Sequence, residues 1–124
     1  MRYDPERAPD PSGWLQHDEA EQLDAVLRYH KKIGFKAGSV KIHAVVHTAI
    51  ETQLAEGYKA VCDALERLLS EGLDRHEALH AVGAIFAEQL HAVLTTRTDF
   101  DNEKYERGLS ELTVASWRQR ADQE

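Results

Sequence analysis

The chain has 124 residues, enough for one domain that buries its own core without needing a disulfide or a metal merely to fold. Apolar residues make up 42% and charged residues 30%, the net charge is -7, and Cys62 is the single cysteine. This balance is that of a globular protein. It argues against a nucleic-acid partner and against anchoring on an anionic membrane, and the lone cysteine fits a reducing, cytoplasmic setting.

The opening stretch "MRYDPERAPD" is polar, carries prolines, and lacks the apolar centre of a signal peptide. It reads as a flexible arm over 1–12, with a single helical domain over 13–124. Five helical segments follow, and no strand is expected. The first spans about Trp14 to Lys31, with Trp14, Leu15, Leu23, Val26, Leu27 and Tyr29 at helical spacing. "IGFKAGS" interrupts the pattern, and Ser39 is the expected N-cap of a second helix over about Val40 to Glu56. Gly57 ends it, and a third covers about Tyr58 to Ser70. The fourth begins at Asp74 and runs to about Thr96, and the fifth covers about Glu103 to Ala121. No apolar run in these segments reads as a membrane span. The expected fold is all-α: a small bundle of about five helices with mostly up-and-down connections.

The histidines carry the chemistry. At 100° per residue, Val40, His43, Val46, His47, Ile50 and Leu54 form one stripe of the second helix, with Glu51 at its margin. On the fourth helix the same arithmetic groups His76, Leu79, His80, Gly83, Ala87, Leu90 and Leu94. In an up-and-down bundle the second and fourth helices run the same way. Both pairs, each in the first turns of its helix, therefore belong to one end. His30, in the last turn of the first helix, belongs there too, while His17 and His91 lie away. Each pair has i, i+4 spacing, a rise of about 6 Å on one face, which lets two imidazoles reach one ion. Imidazoles buried among Val, Ile and Leu would otherwise need other partners.

Two motifs invite more specific readings. "RHEALHAVGAIF" contains H-E-x-x-H, but Phe86 stands where a metzincin has its third histidine, which argues against a peptidase. "EALH" and "EQLH" are both Glu-x-x-His, yet di-iron bundles take that motif from two helices, and here both lie on one. Asp74 with Glu77 three residues on reads as a capping box, which competes with a role for Glu77 as a base or ligand. Cys62 reads as a small buried hydrophobe.

The spacing H-x3-H-x3-E-x-Q (His43, His47, Glu51, Gln53) followed by H-x3-H (His76, His80) resembles a family of small bacterial helical proteins of unknown function. "WLQHDEAEQLDAVLRYH" is similar to the N-terminal part of such proteins, and the likeness covers about Trp14 to Leu94. It brings no activity. It implies that Glu51 belongs to the site, with Gln53 behind it or in the packing.

The sequence thus points to a metal-binding bundle with ligands His43, His47, Glu51, His76 and His80 between the second and fourth helices. Glu77 and His30 are further candidates. Zinc leads as the divalent transition metal, with iron, nickel or copper as alternatives. The metal serves a structural or regulatory role in this reading. Two others stand beside it: a small hydrolase whose metal-bound water is activated by Glu51 or Glu77, and a metal-free interaction module. A homodimer is a candidate assembly, and no protein or small-molecule partner is specified.

Overall fold

The computed structural model describes residues 1–34 and 39–122 of the chain. The expected break at "IGFKAGS" lies partly in 35–38, outside the described residues. The fold is all-α, as expected, but with seven helices among the described residues where five were expected: α1 (Pro11–Gln16), α2 (Glu19–Lys32), α3 (Val40–Ala55), α4 (Lys59–Ser70), α5 (Arg75–Thr96), α6 (Asn102–Glu111) and α7 (Val114–Asp122).

The two additional helices arise where long segments are cut by local capping. The segment expected from Trp14 to Lys31 is divided because the Asp18 carboxylate accepts from the Glu21 backbone N–H at 2.8 Å, starting α2 afresh. The segment expected from Glu103 to Ala121 is divided at Leu112–Thr113. There the Ser116 hydroxyl accepts from the Thr113 N–H at 2.9 Å, and the Thr113 hydroxyl accepts from the Ser116 N–H at 3.0 Å. This reciprocal pair is a capping box built from two hydroxyls. Ser39 caps α3 as expected, accepting from Ile42 N–H at 3.2 Å. Gly57, at φ +73°, closes α3: Tyr58 N–H donates to Gln53 and Gly57 N–H to Leu54, a Schellman turn that needs the left-handed region.

The chain forms two compact units, Met1–Tyr58 and Lys59–Glu124. In the first, α2 and α1 both pack on α3. Its core joins Tyr3, Trp14, Ala25, Val26 and Ala44, with Leu23, Leu27 and Tyr29 against them. Tyr3 lies within the stretch read as an arm, and it is buried rather than loose. In the second, α4, α5 and α6 pack on one another, with Leu68, Leu79, Tyr105 and Leu109 fully buried. The Arg67 guanidinium donates to the carbonyls of Leu109 at 3.1 Å and Leu112 at 2.6 Å, fastening α4 to the carbonyl end of α6. By length and mean hydropathy, 1.2 over its most apolar window, α5 is long and apolar enough to cross a membrane, which the sequence reading did not expect. Its Ala78, Leu79, Ala81, Val82 and Ile85 are buried, and a packed core helix meets the same criteria.

Candidate metal centre

In the first unit, three histidines meet from two helices. His30 lies in the last turn of α2, and His43 and His47 lie in the first two turns of α3. Their ring centroids stand 4.6 Å (His30–His43), 4.7 Å (His30–His47) and 4.7 Å (His43–His47) apart. His30 and His47 are 0% and 1% exposed, so these are interior imidazoles. One ring nitrogen of each lies within 4.8 Å of the others. Two nitrogens on one tetrahedral zinc ion stand roughly 3.3 Å apart, so side-chain shifts of about an ångström would close the set.

His30 also shows its tautomer. Its Nδ1 lies 2.8 Å from the Val26 carbonyl, an acceptor only, so Nδ1 carries the proton and donates. In the neutral ring the lone pair then sits on Nε2, the arrangement by which a backbone carbonyl orients a metal-ligating histidine. The carbonyl end of α2 favours positive charge at His30, which offsets the opposite tendency at the start of α3.

Glu51 is not at the margin of its helix face. It is 2% exposed, on the stripe of Ala44, His47 and Thr48, all of them buried. The Tyr3 hydroxyl donates to Glu51 Oε2 at 2.5 Å, and the Tyr3 ring meets His47 edge-on at 6.4 Å. Gln53 is half-buried and stands about 200° round the helix from Glu51, off that stripe.

In the second unit, His76 and His80 share one face of α5, with ring centroids 4.4 Å apart and a ligand nitrogen of each within 4.8 Å of the other. Asp74 caps α5 as expected, accepting from Glu77 N–H at 2.8 Å. The other half of the expected capping box is absent. Glu77 Oε1 instead accepts from the Trp117 indole at 2.8 Å, and Oε2 lies 3.6 Å from His80 Nδ1. Glu77 therefore stands behind a candidate ligand, in the manner of a carboxylate that orients a metal-bound imidazole. Within each unit the histidine donors lie close enough to share an ion: His30, His43 and His47 in the first, His76 and His80 in the second.

The residues outside this group behave accordingly. His17 is paired with Glu21 at 2.9 Å and His91 is exposed. Glu88, of the second Glu-x-x-His, is ion-paired with Arg120. Phe86, at the metzincin ligand position, stacks with Phe100 at 5.7 Å and Tyr105 at 5.8 Å. Cys62 is half-buried, and burial, followed by the charges of Glu66 and Asp63, pushes its thiol up from the ordinary value. That is the opposite of an activated nucleophile.

Sequence reasoning missed Tyr3 and Trp117 as donors to the two site carboxylates. Each lies about 40 or more residues from its partner, beyond the reach of any helical periodicity. An aromatic residue amid the charges and prolines of "MRYDPERAPD" was the one available signal for Tyr3. No protein-family model matches the chain, and neither does any curated protein or solved structure.

Proposed function

We infer that this protein binds a divalent transition metal, zinc first, through its histidines, and that the metal has a structural or regulatory role. The observation that carries this reading is the triad His30, His43 and His47, from two helices, with ligand nitrogens within 4.8 Å and two of its rings fully buried. All-imidazole donors suit zinc, nickel, copper and iron, and zinc makes no redox or geometric demand beyond them. His76 and His80 supply a second set of donors.

The two carboxylates favour a structural or regulatory role over hydrolysis. A hydrolase would use Glu51 or Glu77 as the base toward metal-bound water. Each instead accepts a hydrogen bond from an aromatic donor, Tyr3 or Trp117. A carboxylate already engaged by a fixed donor suits a positioning role better than that of a base.

Zinc titration against a chromogenic chelator tests the reading. The wild-type chain should take up zinc stoichiometrically, and His30→Ala/His47→Ala should weaken uptake by a hundredfold or more, on the order of the loss of two ligands. The number of ions per chain, together with His76→Ala/His80→Ala, shows whether the two donor sets serve one ion or two. Unchanged uptake in the first variant would refute the assignment.

A further inference from the structure

We propose that the segment Met1–Pro9 is a strap over the histidine site of the first unit, and that Tyr3 is the positioning residue that links metal binding to the seating of this strap. The proposal rests on the metal-binding reading above and adds to it a regulated element.

The strap has no helix of its own, yet it is held at several points. Tyr3 and Pro5 are buried. The Tyr3 ring stands 5.9 Å from Trp14, 6.1 Å from Tyr29 and 6.4 Å from His47, contacting α1, α2 and α3 together. Arg28 Nη2 donates to the Met1 carbonyl at 2.8 Å, and Arg7 N–H closes a turn onto the Asp4 carbonyl at 3.0 Å. A buried polar contact joins strap and site, the Tyr3 hydroxyl on Glu51 Oε2.

That contact is the coupling element. At 2.5 Å it is a short hydrogen bond from a hydroxyl to a buried carboxylate. A cation held at His47, one turn away on the same stripe, attracts the Glu51 carboxylate and so restricts the acceptor on which Tyr3 is seated. A seated Tyr3 in turn fixes the carboxylate where its charge favours the cation. The two equilibria must help each other by the same factor, because linkage between binding free energies is reciprocal. A short irregular segment pays its ordering entropy from few contacts, so it lies at the low end of local stability, where such coupling is readable.

Hydrogen exchange of the full chain, with and without zinc, tests this on the wild type and Tyr3→Phe. The phenylalanine keeps the ring contacts and removes only the donor. In the wild type, zinc should slow exchange in residues 2–8 by about tenfold, a coupling of about 1.4 kcal/mol. In Tyr3→Phe that zinc-dependent protection should vanish and zinc affinity should fall by about tenfold, while zinc-free exchange in α2 and α3 matches the wild type. Zinc uptake without strap protection, or equal protection in the variant, would overturn the strap and leave the metal site standing. General loss of protection in α2 and α3 of the variant would make Tyr3 a core residue only and overturn it too. No zinc uptake by the wild type would remove both readings.

Discussion

His30 is oriented in the site by a hydrogen bond to its own helix. Its Nδ1 donates to Val26, four residues back on its own helix, and that contact settles which nitrogen holds the lone pair. Its position was legible in sequence, because the last turn of the first helical segment had to end at the level of the second segment's start. The roles of Glu51 and Glu77 were only half legible. Helix arithmetic places a carboxylate on a face, but the donor that fixes it comes from a distant part of the chain. Trp117→Phe should therefore cost about 0.5–1.5 kcal/mol in urea unfolding, since it removes a part-buried hydrogen bond to Glu77, whose carboxylate water can then reach. Cys62 gives a pH-dependent test. With its thiol raised by burial, Glu66 and Asp63, the thiolate forms at higher pH in the native chain than in the unfolded one. The midpoint of the pH–rate profile for iodoacetamide should lie higher in native protein than in urea. A lower native midpoint would show an activated thiol.

At the scale of elements, Ser39, Gly57 and Asp74 are residues whose boundary role follows from their own chemistry, and they stand where the sequence placed them. The breaks at Asp18 and Thr113 were missed because the apolar spacing continues across both, and periodicity outweighs a cap when the two compete in a single sequence. The packing of α6 on α5 was likewise invisible. A Cβ added at Gly108 would stand 2.9 Å from Ile85 Cγ2, so the glycine lets the two helices approach. Replacing glycine by alanine within a helix ordinarily gains about 1 kcal/mol. Here the branched Ile85 side chain is 6% exposed and has little room to yield, so overpacking should cancel or exceed that gain. Gly108→Ala should be neutral to about 2 kcal/mol destabilising, and Gly108→Ala with Ile85→Val should recover part of the loss, as read from thermal unfolding. A clear gain from the single change would contradict the close approach.

For the whole molecule, the all-α class follows from five apolar stripes of helical period, and the division into units at Tyr58–Lys59 does not, because a stripe does not say which neighbour covers it. His43 with His47, and His76 with His80, were legible as pairs because i, i+4 spacing is a local quantity. If zinc binds the folded chain and not the unfolded one, the ion at about 100 times its Kd should raise the unfolding free energy by about 2.7 kcal/mol, and chelator should reverse it. The metal should leave steeply below about pH 6, where imidazoles gain protons and cease to ligate. The most direct test is the metal content, by mass spectrometry, of chain purified without a histidine tag or chelator, beside His47→Ala/His80→Ala. Near-stoichiometric transition metal in the wild type and none in the variant is the predicted result. No metal in either, even after reconstitution with zinc, would contradict the account and leave a metal-free helical protein with buried imidazoles.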